Sequence, residues 1–314
     1  FQSYLFRLAW PMMAIGFLLA MREQARASEK RLGEILVDPK ELRDPPAAPA
    51  TDAPTSLPDA PLTGALSIRN LTYAYAGMPR PVLDGVNLEI PSGQRVALLG
   101  EVGSGKSTLA HLAARLLEPS AGTIFLAGRD VTTLPRARLE QSINLVPQES
   151  FLFSQTLRHN LLLGLATPPD EAGQRVVLER AGFLEEVDAL PRGLDTVIGE
   201  RGVNLSGGQR QRLSLARFLL RRPRLLLLDD CLSAVDADKE REIMDHLARH
   251  LPEGTLLFIT HRPRVAFRLD RVIILDQGKI AEDGPPERLS REGTLFPKFL
   301  RKEALARAAG GTAP

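Results

Sequence analysis

The residues able to do chemistry cluster in a few short runs. Gly100-Glu101-Val102-Gly103-Ser104-Gly105-Lys106-Ser107 joins three spaced glycines, a lysine and a hydroxyl in one octapeptide. Glycines there let backbone N–H groups turn inward around phosphates, where a Cβ would block approach. Lys106 has the reach for β- and γ-phosphates, and the Ser107 hydroxyl is a ligand for Mg²⁺. Asp229 and Asp230 end the apolar run Leu225 to Leu228. The first fits an acid holding hydrated Mg²⁺, and the second is placed to orient or deprotonate water. Gln148 closes another apolar run, and its amide can point at Mg²⁺ or water, or lie solvated in a loop. His261 follows a third run and can bond a γ-phosphate as neutral imidazole or as imidazolium.

Asn204-Leu205-Ser206-Gly207-Gly208-Gln209 offers a second anion site. Ser206 is a good N-cap type, and the two glycines clear space at a helix N-terminus. One phosphate chain is already accounted for by Lys106 and its loop, so this site suits another molecule. Tyr73 and Tyr75 each carry a ring on which a base can stack, or else they pack internally.

These groups need a scaffold that brings strand ends together. Val96-Ala97-Leu98-Leu99, Ile143 to Val146, Leu225 to Leu228 and Thr255 to Ile259 read as strands buried on both faces, the mark of a parallel sheet. The strand, glycine loop and Gly-Lys-Ser opening a helix form the phosphate-binding loop. That helix, from Lys106 through Thr108, is expected to run to about Leu117, where Glu118-Pro119-Ser120-Ala121-Gly122 breaks it. Leu66 to Ile68, Leu71 to Tyr75 and Val82 to Ile90 alternate as strands and predict an antiparallel sheet edge ahead of the nucleotide strand. A hairpin is expected around Gly128-Arg129-Asp130, and another around Asp276-Gln277-Gly278. Phe151 to Arg222 reads as mostly helical, with a helix over Arg210 to Leu220. Asp236 precedes a helix reaching about Leu251.

The 314 residues suffice for one large domain or two, with 44% hydrophobic and 25% charged residues as in ordinary globular chains. A net charge of +2 leaves no electrostatic footprint for nucleic acid. One cysteine, Cys231, excludes an internal disulfide framework and suits a reducing compartment. No secretory signal pattern is visible. Leu8 to Met21 carries no charge, yet its length falls short of the roughly 20 residues that span a bilayer. Arg22 to Leu36 turns charged, as a helix entering water beside a basic membrane edge would. A chain opening at Phe1 is expected to be a piece of a longer one. Asp38 to Pro61 is dense in proline and alanine and reads as an extended linker.

From about Leu66 to Leu300 the ordered motifs resemble the nucleotide-binding domain of ATP-binding cassette (ABC) transporters of the exporter type. Walker A is Gly100 to Ser107, the Q-loop residue Gln148, the signature Leu205 to Gln209, and Walker B Leu225 to Asp229. The D-loop is Ser233-Ala234-Val235-Asp236 and the switch histidine His261. The resemblance implies an α/β P-loop NTPase with a RecA-like core, an antiparallel β subdomain and a helical signature subdomain. It implies ATP and Mg²⁺, with Tyr75 stacking adenine. It implies that residues 1–36 are the end of a last transmembrane helix with its cytosolic extension, 37–65 a linker, 66–305 the nucleotide-binding domain and 306–314 a tail. Thr196 to Gly202 matches the X-loop, which touches the membrane domain. Two such domains would pair head to tail, each ATP lying between one chain's Walker motifs and the other's signature.

One residue departs from the family pattern, which has glutamate where this chain has Asp230. Aspartate is one methylene shorter, about 1.5 Å of reach, and a 1 Å misplacement can cost on the order of a hundredfold in rate. The resemblance therefore implies the degenerate-site subunit of a heterodimeric half-transporter pair, although a homodimer stays open. The expected setting is a plasma (inner) membrane with this domain on the cytoplasmic face, exporting a substrate the sequence does not name. The alternatives are a nucleotide-gated regulatory subunit with negligible hydrolysis, and a soluble ABC ATPase acting on nucleic acid. The near-neutral charge, the X-loop and the apolar N-terminal run speak against the last.

Overall fold

The computed structural model describes residues 2–36, 62–199, 202, 204–250, 254–291 and 293–308. The chain divides into two compact units, Phe1–Arg43 and Asp44–Pro314. In the first, a single helix α1 (Gln2–Leu36) runs unbroken through Pro11. Trp10, Met12, Met13, Phe17 and Leu18 all expose more than half of their surface. Among the described residues no helix is long and apolar enough to cross a membrane. The linker expected over Asp38 to Pro61 lies outside the described residues, as does the tail beyond Ala308.

The second unit begins with β1 (Leu66–Tyr73), β2 (Leu83–Ile90), β3 (Arg95–Leu99), α2 (Lys106–Ala113), β4 (Ile124–Leu126) and β5 (Arg129–Asp130). It continues through α3 (Arg136–Ser142), β6 (Ile143–Val146), α4 (Leu157–Leu162), α5 (Glu171–Arg180), α6 (Leu184–Ala189) and α7 (Gly207–Leu219). Then come β7 (Leu225–Asp229), α8 (Ala237–His250), β8 (Thr255–Ile259), β9 (Arg271–Asp276), β10 (Lys279–Gly284), α9 (Pro286–Leu289) and α10 (Phe296–Ala308).

A six-stranded sheet in the order β10-β9-β3-β8-β7-β6 forms the centre. Its strands are parallel except β10, which pairs antiparallel with β9. The apolar runs are continuous because both faces are covered. Ala97, Leu99, Leu226, Leu228, Leu256 and Phe258 point into a core shared with α4, α5, α7 and α8. Val96, Leu98, Leu225, Leu227, Leu257 and Ile259 point into a second core, shared with α2 and the smaller sheet. Each such fully buried Val, Leu, Ile or Phe side chain stabilises the fold by roughly 1.5–3 kcal/mol.

The antiparallel strands form a separate four-stranded sheet ordered β2-β1-β4-β5, the antiparallel β subdomain that the resemblance implied. The reason lies in pairing: Leu66, Ser67 and Ile68 of β1 take β4 residues Leu126, Phe125 and Ile124 as partners. The two strand segments expected before Tyr75 are one strand that ends at Tyr73. It is irregular where Asn70 turns to φ 45°, with its N–H donating to Asn87 Oδ1 at 2.9 Å.

Helix α2 stops at Ala113, a turn short of the expected Leu117. Arg115 takes a left-handed φ of 51°. The Leu116 N–H then bonds the His111 carbonyl at 2.8 Å and the Arg115 N–H the Leu112 carbonyl at 3.0 Å. This is a Schellman end built on arginine rather than glycine. The arginine is held there by bonds to the Val131 and Leu134 carbonyls at 3.2 and 3.0 Å. Helix α7 starts at Gly207, three residues before the expected Arg210. Both expected hairpins form, as the β4/β5 and β9/β10 pairs.

Candidate functional site

The C-terminal ends of β3, β6, β7 and β8 carry the predicted residues to one edge of the sheet, where open parallel sheets hold ligands. The loop after β3 spans Gly100 to Gly105 and runs into α2 at Lys106. Gly105 has φ 102°, and a Cβ there would lie 2.8 Å from Leu83 and 2.9 Å from the Val82 carbonyl. Only glycine fits, so the loop can turn straight into the helix with its N–H groups leading. Val102 is 88% exposed at the loop's tip, while Ser104, Lys106 and Thr108 are buried.

Lys106 Nζ donates to the Gly100 and Glu101 carbonyls at 2.9 and 2.8 Å and to Ser104 Oγ at 3.3 Å. Burial lowers its pKa, and Asp229, Asp230 and Glu101 push it back up. The ammonium thus sits in the field of both acids at the end of β7. Glu101 also pairs with Lys302 of α10 at 2.9 Å.

Asp229 and Asp230 are 5% and 7% exposed. Burial, then the Asp229 charge, raises the Asp230 carboxyl to about 6. Asp230 holds a left-handed φ of 45°, a region aspartate visits more readily than most residues and one where functional sites store strain. Gln148, just past β6, donates from Nε2 to Asp230 Oδ2 at 3.3 Å. This exposed amide thus lies on the carboxylate, a partner the sequence did not suggest. His261 is an exposed residue whose pKa is lowered by partial desolvation and by Lys106, which favours neutral imidazole. Cys231, next to Asp230, is fully buried and its thiol pKa is pushed far up by burial.

Tyr75 is 36% exposed, and its hydroxyl lies 3.1 Å from Thr108 Oγ1. Tyr73 meets it edge-on, ring centroids 5.2 Å apart. An exposed ring is therefore tethered to the first turn of α2, and Tyr73 is the packed one.

Ser206 caps α7, accepting from the Gln209 N–H at 3.2 Å, while Gln209 Oε1 accepts from the Ser206 N–H at 2.9 Å. This capping box fixes the helix N-terminus with Ser206 exposed, Leu205 and Gly207 half-buried and Gly208 buried. Asp236 caps α8 by accepting from the Lys239 N–H at 2.8 Å. In the segment Thr196 to Gly202, Val197 is 58% exposed. Glu200 and Arg201 lie outside the described residues.

The donor set suits a hard cation bound chiefly through phosphate. Ser107, Asp229 and Gln148 offer oxygens only, and among the described residues no group of three or more His, Cys, Asp or Glu side chains could hold a metal alone. Mg²⁺ takes one or two carboxylates, waters and substrate phosphates in such sites.

Two residues escaped the sequence reading. Gln211 is buried on α7 and bonds the loop after β7, and Arg262 bonds the same loop from the other side. Their signal was weak: Gln211 is one of four polar side chains buried on α7, with Arg212, Ser214 and Arg217, and Arg262 is an arginine beside His261.

A family profile described as ABC transporter matches residues 83–233. A probable multidrug resistance ABC transporter ATP-binding/permease protein of Bacillus subtilis, YheI, is 34% identical over 312 residues, 99% of this chain and 52% of that protein. An ATP-dependent lipid A-core flippase of Chromobacterium violaceum is 39% identical over 259 residues, 82% of this chain and 43% of that one. Among solved structures, a bacterial Atm1-family ABC exporter with ATP bound superposes with a TM-score of 0.79 at 30% identity, covering 96% of this chain and 52% of that chain. The chain spans about half the length of the curated relatives it matches.

Proposed function

The chain carries the ATP-binding domain of the ABC transporter family, of the exporter type, and on that premise we propose that it powers substrate export across a membrane as one half of a two-subunit transporter. The observation that carries this reading is that Lys106, Asp229, Asp230 and His261 stand at or just past the C-terminal ends of the three adjacent parallel strands β3, β7 and β8.

In this reading the N–H groups of Gly100 to Gly105 and the N-terminus of α2 hold the triphosphate, with Ser107 and Thr108 beside it. Lys106 turns from the loop carbonyls to the β- and γ-phosphates. Ser107, Asp229 through water, and Gln148 would hold Mg²⁺, which offsets phosphate charge when bound. Tyr75 carries the adenine ring. Asp230 orients the attacking water and accepts its proton, and His261 steadies the γ-phosphate. Leu205 to Gln209 would cover ATP held by the second domain, adding a helix N-terminus to its charge stabilisation. Asp236 belongs to the loop between the two pockets. Motion would pass to a membrane domain through Gln148 and the 196–202 segment.

Asp230 supports a finer proposal. Its carboxylate is short, buried and bonded to Gln148. The pocket built from this chain's Walker motifs therefore binds ATP and turns it over slowly, while the partner's pocket does most of the work. A regulatory subunit with negligible hydrolysis is the limiting case. The exposed apolar stretch of α1 from Trp10 to Met21 suits the end of a membrane helix, which would put the domain at the cytoplasmic face of a plasma (inner) membrane.

ATP binding and Mg²⁺-dependent hydrolysis by the purified full-length protein test the proposal. Binding that disappears in Lys106→Ala, and turnover that needs a second subunit, are expected. Retention of no ATP by the unsubstituted protein would overturn it.

A further inference from the structure

The loop after β7, Ser233 to Val235, is gripped from two sides. On one side stands Gln211, 7% exposed. Its Oε1 accepts from the Ala234 N–H at 2.9 Å, and its Nε2 donates to Ser233 Oγ at 3.0 Å and reaches the Gln148 carbonyl at 3.5 Å. On the other side, Arg262 donates to the Ser233 carbonyl at 2.7 Å, the Val235 carbonyl at 2.9 Å and Glu240 at 2.7 Å. The signature glycines close the contact. A Cβ on Gly208 would stand 2.8 Å from the Ala234 carbonyl, and one on Gly207 would stand 3.1 Å from Ala234 Cβ.

From this we infer that Gln211 is a positioning residue for hydrolysis: it fastens the N-terminal turn of α7 to the loops that follow β6 and β7, so that the two nucleotide pockets move together. The inference rests on the proposed role of Leu205 to Gln209 in covering ATP held by a second domain. Glutamine is suited to the place because its amide offers an acceptor and two donor hydrogens at one fixed reach. The loop segment begins beside Asp230 and is fastened by the residue that follows His261. A shift of the acid or the histidine during turnover is therefore carried through Ser233 to Val235 into α7, whose N-terminus, with the exposed Ser206, is the part proposed to cover the other pocket. A shortened side chain leaves a buried N–H and hydroxyl without that partner and breaks the link. Of the residues that would hold this chain's own ATP and Mg²⁺, Gln211 meets only Gln148, and only through its backbone carbonyl at 3.5 Å.

The test uses the full-length protein in nanodiscs with the second subunit it purifies with. Gln211→Ala is expected to lower kcat about tenfold, as a small misplacement does, with KM and the ATP dissociation constant changed by less than about twofold. Gln211→Glu, which keeps the acceptor for the Ala234 N–H and lets Ser233 donate, is expected to recover part of the loss. Ser233→Ala removes one bond of the set and decides the matter should Gln211→Ala fail to fold. An unchanged kcat overturns the inference, as does a fall in kcat matched by an equal rise in KM. If Lys106→Ala abolishes turnover while Gln211→Ala and Ser233→Ala are silent, only this inference fails. If the unsubstituted protein binds no ATP, the functional reading fails and takes the inference with it.

Discussion

The Gln148 amide donates to the Asp230 carboxylate across 3.3 Å, joining the ends of two neighbouring parallel strands at the edge where the nucleotide is expected. The bond holds the shorter acid toward Gln148, in a backbone conformation with φ 45° that offers little slack.

Lengthening that acid should restore reach. Asp230→Glu is expected to raise single-turnover hydrolysis at this chain's own pocket by about tenfold or more, by the same positional sensitivity that penalises aspartate. Asp230→Asn should keep ATP binding and lose this turnover. Quench-flow with labelled ATP measures both. A rate unaffected by Asp230→Glu would mean that carboxylate length does not limit the step.

The tether from Tyr75 to Thr108 should matter for the base and not for the phosphates. Tyr75→Phe keeps the ring and loses the hydroxyl bond, and an about 1 kcal/mol bond corresponds to an about fivefold weaker ATP affinity. Tyr75→Ala should weaken ATP further while leaving inorganic triphosphate binding within about twofold. Calorimetric titration with the two ligands separates the effects.

Ser206 caps α7 reciprocally with Gln209. Ser206→Ala is expected to cost about 1 kcal/mol of stability, or about 2–4 °C in Tm for a domain of this size. Differential scanning calorimetry reads the shift. A change in turnover beyond that loss would report the contribution of Ser206 to the partner pocket.

The Lys239 N–H holds the Asp236 carboxyl below the usual carboxylate range. A carboxylate whose folded pKa is depressed contributes stability above its unfolded value, and that contribution disappears as pH falls through the folded value. Asp236→Ala should therefore flatten the acid limb of the urea midpoint against pH, leaving wild type and variant closest at the lowest pH. Parallel limbs would assign no such role to the cap.

What the sequence disclosed best was the central sheet. Strands buried on both faces must be apolar at every position, so Val96 to Leu99, Leu225 to Leu228 and Thr255 to Ile259 announced themselves, and with them the chemistry at their ends. The antiparallel strands were legible from their alternation but their order was not, because β1 pairs with residues of β4 nearly sixty positions on, a pairing no local pattern encodes. Helix α2 was read too long because Arg115 closes it in a conformation normally assigned to glycine, held by carbonyls of Val131 and Leu134. Gln211 was missed for a related reason: its partners Ser233 and Ala234 are distant in the chain, and a buried amide has no signature until its bonds are seen.

Cys231 follows the two acids, wholly enclosed and with its thiol held protonated by burial. As the chain's single sulfhydryl, it makes alkylation a clock. A maleimide reagent can reach it only when the core beside Asp230 parts, so labelling rates with and without ATP would time that opening without a dye or a mutation.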